Sequence, residues 1–184
     1  RVHEIAPRLA ELTATHAAAT RTATWLWRTA DIQPGGPALA AVQDAAGRWQ
    51  LGRVALFMGG ADDPFAAPLA RAGLERFASR LARQDIALWA LLGDPAWFDA
   101  DDAAVTAELE RVAILAGRGQ VAGLELDLEP HAMAGWDDPV QRPLLAARCV
   151  ALVALARRTL PAGVPLWLDA PPSLLAEFGS DLAI

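Results

Sequence analysis

The sequence predicts an α/β protein assembled from repeated βα units, and three observations predict it. Short apolar strand-like runs alternate with helical stretches five times along the 184 residues. The connections between them are short and rich in Gly, Pro and Asp. The carboxyl ends of the strand-like runs carry acids and tryptophans, whereas their amino ends are apolar or arginine. Alternation of this kind builds a parallel sheet, and polar groups gathered at one end of such a sheet mark its functional edge.

Each element follows in chain order. Residues 1–21 are expected to be a separate N-terminal helical or irregular segment: Ile5, Leu9 and Leu12 suit a short helix, and Pro7 is tolerated only near its start. "TATWLW" (22–27) reads as the first strand, followed by the loop "QPGGP" and the helical run "ALAAVQDAAGRWQ". "RVALFM" (53–58) is the second strand, and "GGADDP" turns the chain into "PLARAGLERFASRLARQ". That helix places Leu74, Phe77 and Leu81 on one face. "IALWALL" (86–92) is the third strand, ending in "GDP". "DDAAVTAELERVAILAGRG" starts with acids and stops at Gly and Arg, both compatible with the helix dipole. "VAGLELDLE" (121–129) is the fourth strand, "PLLAARCVALVALARRTL" the next helix, and "VPLWLD" (164–169) the fifth strand.

Two architectures produce this rhythm, an open doubly wound sheet and a closed (β/α)8 barrel. No glycine-rich dinucleotide fingerprint or phosphate loop follows the first strand, which weakens the open nucleotide-binding sheet. A complete barrel takes about 250 residues. About five units in this length match a TIM-barrel-like chain that is incomplete, with 22–184 as one domain just entering a sixth strand at "DLAI".

Composition narrows the chemistry. The chain is 54% hydrophobic with a net charge of −6, so it suits a folded core and lacks the basic footprint of a nucleic-acid binder. No apolar run reaches the roughly 18 to 20 residues of a membrane helix, so no membrane span is expected. No basic-then-apolar leader opens the sequence; an export signal is expected to be either removed or absent. Lysine, asparagine and tyrosine do not occur, and all 16 basic residues are arginine. Schiff-base lysines and tyrosine nucleophiles are therefore excluded within the chain. Ser79, Ser173 and Ser180 lie in no nucleophile elbow. Cys149 is the single cysteine, inside a helical run where a buried apolar role is expected. Carboxylates and histidines remain, and no cofactor is implied.

Reading the strand ends in order gives Trp25 and Trp27, then Met58 with Asp62 and Asp63, then Asp94, then Glu125, Asp127, Glu129 and His131, then Trp167 and Asp169. In "GLELDLEPH" the leucines Leu124, Leu126 and Leu128 pack toward helices, which turns Glu125, Asp127 and Glu129 to the opposite face by parity. Alternate carboxylates on a strand lie about 7 Å apart and repel by about 2.4 kcal/mol at an effective dielectric near 20. Either a proton is held there, or a cation or arginine neutralises the set. Core ion pairing of Glu125 with an arginine, and turn formation by Asp94 and Asp169, are the structural alternatives to function.

The same stretch resembles the strand-four signature of chitinase-like family 18 glycoside hydrolases, D-G-x-D-x-D-x-E. Gly123, Asp127 and Glu129 match it; Ala122 and Glu125 depart from it. "LEP" also resembles the strand-four ending of the large glycosidase clan whose nucleophile lies on strand seven, with Leu128 in place of asparagine. The wider form, together with "ALWALLGDPAWF", is similar to uncharacterised bacterial "GIxLDxEP" barrel proteins of glycosidase type. The resemblance implies Glu129 as the catalytic acid protonating a glycosidic oxygen, with Asp127 beside it and Glu125 deeper in the strand. Asp94 and Asp169 are the candidates within the chain for a second carboxylate. It also implies a poly- or oligosaccharide substrate, and with it a periplasmic or secreted location.

Tryptophan usage agrees with a sugar site. Trp25, Trp27, Trp89, Trp97, Trp136 and Trp167 lie on strands or in the loops after them, and flat indoles stack on the apolar faces of pyranose rings. Trp136, in the polar loop "GWDDP", and His131 complete the expected substrate-binding set with Trp25, Trp27, Asp94, Trp167 and Asp169. Two other readings stay open. "ELD" resembles the metal-binding E-x-D of glycerophosphodiester phosphodiesterases, but "TWLWRT" lacks that family's strand-one histidine, and His3 and His16 precede the strand. A carbohydrate-binding module on a degenerate barrel is the third reading.

Overall fold

The computed structural model describes residues 22–28, 32, 37–59 and 68–169. The N-terminal segment 1–21 with His3 and His16, the loop acids Asp62 and Asp63, and the expected entry to a sixth strand lie outside the described residues.

The elements are β1 (Thr22–Leu26), α1 (Pro37–Trp49), β2 (Leu51–Phe57), α2 (Pro68–Ala82), β3 (Ala87–Leu92), α3 (Asp102–Gly117), β4 (Leu124–Asp127), α4 (Gln141–Thr159) and β5 (Leu166–Asp169). Short 3-10 turns at Pro95–Phe98 and Pro130–Ala132 follow β3 and β4. The strands form one sheet in the order β1-β2-β3-β4-β5, and every neighbouring pair is parallel. The predicted α/β class and its βα rhythm are what the chain adopts. Among the described residues no helix is long and apolar enough to cross a membrane.

The ends of the helices follow local chemistry. Asp101 Oδ1 accepts the Ala104 N–H at 2.8 Å and so caps α3, with Asp102 adding negative charge to the first turn. At the other end Gly119, at φ +69°, lets its N–H reach the Ala116 carbonyl while the Gln120 N–H reaches Leu115. That pair of bonds is a Schellman stop, which needs a residue comfortable in the left-handed region.

The core divides by strand parity. Val54, Leu56, Leu88, Ala90, Leu92, Leu124, Leu126 and Leu128 point to the helix side. There they meet Leu74, Phe77 and Leu81 of α2, Val105, Leu109 and Val112 of α3, and Cys149, Leu152 and Val153 of α4. These side chains are buried, and complete burial of such groups contributes about 1.5–3 kcal/mol apiece. The opposite face carries a second, smaller cluster of Ala55, Trp89 and Leu91, with Phe57 and Ala87 against it.

That second face is concave. Strands lie about 4.8 Å apart, so β1 and β4 would be separated by about 14 Å in a flat sheet, as would β2 and β5. Yet Trp25 on β1 hydrogen-bonds to Glu125 on β4 at 2.8 Å, and Arg53 on β2 lies 3.7 Å from the Trp167 ring on β5. Side chains standing upright on a flat sheet would not meet over such spans. The sheet therefore curls as a half-barrel around these residues.

Small residues make room inside the curl. A Cβ on Gly123 would lie 2.8 Å from the Trp89 ring, and one on Gly93 would lie 2.0 Å from the Asp127 carbonyl oxygen. Glycine at both positions is a consequence of close approach.

Candidate functional site

Register aligns the concave residues in rows. Glu125 is opposite Leu91 on one side and Trp167 on the other, and Asp127 is opposite Asp169. Trp25 is opposite Ala55, which is opposite Trp89. Opposed residues on neighbouring strands share a face. The curl thus collects Trp25, Glu125, Asp127, Trp167 and Asp169 on one surface.

Glu125 is completely buried. Its Oε1 accepts the Trp25 indole N–H at 2.8 Å, and its Oε2 lies 3.3 Å from Arg53 Nη2. The Arg53 guanidinium is itself stacked, 3.7 Å from the Trp167 ring centroid and 4.8 Å from that of Trp89. Trp89 and Trp167 meet edge to face at 5.6 Å. Burial pushes the Glu125 carboxyl above its ordinary value; hydrogen bonding and charge from neighbouring Asp169 add to the rise, while the Trp25 bond and Arg53 oppose it. Burial and the arginine thus act on this one residue in opposite senses.

Asp127 is half-buried at the end of β4. Its carboxyl is also raised, first by burial, then by the negative charges of Glu129 and Asp169, with His131 acting the other way. Glu129 follows at the start of the Pro130–Ala132 turn, its side chain 57% exposed and 3.8 Å from His131 Nε2. The three acids of the row thus grade from the buried floor, Glu125, to the solvent-facing lip, Glu129. Among the described residues no three His, Cys, Asp or Glu side chains are gathered so as to hold a metal ion.

The aromatic residues divide. Trp25, Trp27 and Trp167 are exposed, at 47%, 55% and 53%, and Trp27 leans on Phe57 with ring centroids 5.7 Å apart. Trp136, by contrast, packs against the helix-side core with Arg142 over its ring at 4.9 Å. Asp94 caps the Pro95–Phe98 turn, its Oδ1 accepting the Ala96 N–H at 2.8 Å. Trp97 is buried beneath that turn, and its carbonyl oxygen accepts from Arg148.

Arg53 lies at the amino end of its strand, away from the strand ends that carry the other site residues. A charged residue inside the apolar run "RVALFM", in phase with Ala55 and Phe57, was the available signal that β2 sends an arginine to the concave side.

No protein-family model matches the chain, and no curated protein matches it.

Proposed function

We propose that the chain forms part of a (β/α)8-type barrel and acts as a glycoside hydrolase-like protein on poly- or oligosaccharides, by carboxylate acid/base catalysis. Glu129, at the lip, is the proposed proton donor to the glycosidic oxygen, and Asp127 beside it keeps a hydrogen in reach. The observation that carries this reading is the meeting, on one concave surface, of a carboxyl held above its ordinary range with three exposed indoles. Glycosidic cleavage needs a carboxylic acid as proton donor, an upward shift is the direction that favours one, and indole faces supply the stacking surface a pyranose prefers.

A non-catalytic carbohydrate-binding role is the second reading, favoured by the engagement of Glu125 with Trp25 and Arg53, which commits one member of the acidic row to packing. The phosphodiesterase alternative would need Glu125 as a metal ligand, and Glu125 faces a guanidinium instead.

Incubation with cello-, chito- and xylo-oligosaccharides, read by new reducing ends and by calorimetric binding, tests the proposal. Turnover of one sugar class, lost by about a hundredfold or more in Glu129→Gln with binding retained, supports the enzyme. Binding without turnover, unchanged in Glu129→Gln, supports the module. Neither binding nor turnover on any of the three overturns the carbohydrate reading.

A further inference from the structure

Trp25 and Trp167 stand on the first and last strands of the sheet, four strand steps or about 19 Å apart if it were flat. Both rings are about half exposed, yet each is tied from below to the same buried ion pair. Glu125 holds the Trp25 indole N–H, Arg53 stacks on the Trp167 ring, and the 3.3 Å contact between Arg53 and Glu125 joins the two. Trp89 closes the arrangement as its floor, under the guanidinium and edge-on to Trp167.

We propose that Arg53 and Glu125 are positioning residues that fix Trp25 and Trp167 as facing walls of a trough, so that an oligosaccharide chain meets two rings already in place. The inference rests on the carbohydrate reading for its ligand and on the contacts above for its geometry.

The physical case is one of cost. An ion pair buried in a sheet interior is expensive to desolvate, and apolar residues of similar volume would stabilise such a core at least as well. The Arg53 Nε has no hydrogen-bond partner among the described residues, so the pair is not even fully satisfied. What a leucine pair could not supply is direction. Only an acceptor at Glu125 fixes the rotation of the Trp25 indole about its long axis, and only a flat cation at Arg53 fixes the tilt of Trp167. Rings held this way lose little freedom when a ligand arrives, which is the usual route to affinity for weakly binding, heavily hydrated molecules such as sugars.

The two contacts have different chemical requirements, which makes the inference separable from simple core packing. In protein labelled with 15N at the indoles, with Trp25 and Trp167 assigned through Trp25→Phe and Trp167→Phe, Arg53→Lys keeps a charge beside Glu125 but removes the planar stack. The Trp167 signal is expected to shift while the Trp25 signal stays. Glu125→Gln keeps an oxygen for the Trp25 N–H but releases Arg53, so again Trp167 moves and the Trp25 N–H remains protected from exchange. Glu125→Leu moves both; should it fail to fold, the two conservative variants carry the test.

Wild-type binding of the oligosaccharide that the hydrolysis panel selects should weaken about tenfold in Arg53→Lys. Adding Trp167→Phe to that variant should give little further loss, because the two changes remove one interaction. A Trp167 signal that ignores Arg53→Lys and Glu125→Gln, in proteins with otherwise native spectra, overturns the positioning role whatever binds, and so does a Trp25 signal that ignores a folded Glu125→Leu. Signals that respond as described in a wild-type protein that binds none of the sugars retain the positioning role and overturn the carbohydrate reading alone.

Discussion

The Trp25 indole N–H donates to Glu125 Oε1 at 2.8 Å from three strands away, and Glu125 is completely buried. This bond joins the edge of the sheet to its acidic strand, and it is charge-assisted while the carboxylate is ionised. Trp25→Phe keeps most of the ring but leaves a buried oxygen without its donor. It should cost about 1–3 kcal/mol in urea unfolding. Trp27→Phe, at an exposed ring resting on Phe57, should cost well under 1 kcal/mol by the same measurement. Equal costs for the two would contradict the role given to the bond.

The raised carboxyls make stability depend on pH with a definite sign. The ordinary values are 4.5 for Glu125 and 3.8 for Asp127, and both folded-state values lie above them. Between the ordinary and the folded value the folded chain binds more protons than the unfolded one, so stability falls as pH rises through that window. Urea midpoints measured upward from about pH 4 should therefore decline in a component that Asp127→Asn and Glu125→Gln each reduce. A component that rises with pH and disappears in these variants would mean that the two carboxyls are lowered by folding.

Glycine is required where backbone and ring crowd the concave side. Gly93→Ala would drive a Cβ to 2.0 Å from the fixed Asp127 carbonyl, whereas Gly123→Ala meets the Trp89 ring at 2.8 Å, and a ring can tilt. Overpacking of this kind costs about 1–3 kcal/mol. Gly93→Ala should be the more destabilising of the two in denaturant unfolding; the reverse order would contradict the close approach of β3 and β4.

Cys149 is buried in α4, and burial pushes its thiol up to about 11. Near pH 8 the thiolate needed for reaction is scarce and shielded. A disulfide reagent should leave the native protein unlabelled and react only as urea unfolds it. Rapid labelling of the native chain would place Cys149 at the surface.

How much of this was legible in the sequence follows from the range of the interactions. Strand and helix order was readable because each element carries its own period: "ALWALL" and "GLELDLE" announce their buried faces locally, and Leu74, Phe77 and Leu81 do so at helical spacing. Parity also put Glu125 and Asp127 on the face away from the helices. The fourth strand came out shorter than the predicted 121–129, because Pro130 cannot donate to a ladder and Glu129 already leaves it, at φ −110° and ψ 67°. Its amino-terminal side remains paired, through the Ala122 N–H to Leu88 and the Ala90 N–H to Gly123.

Sheet curvature was not legible, and it decides what touches Glu125. Arg53 lies more than seventy positions away in sequence and two strands away in the sheet, and no local pattern encodes that meeting. The setting of Trp136 was illegible for a related reason: its loop is polar, while the Pro130–Ala132 turn and α4 set the part-buried indole against the helix-side core.

Central to the proposed function is a concave surface that raises carboxyl pKa values beside exposed indoles. Carbon-13 titration of the side-chain carboxyls, assigned with Asp127→Asn and Glu125→Gln, measures this most directly. The account predicts that Asp127 and Glu125 both hold their protons above the ordinary values of 3.8 and 4.5, and that Asp127 moves downward when Glu129 is replaced by Gln. Titration of both groups at or below those values, with no response of Asp127 to Glu129→Gln, would contradict it.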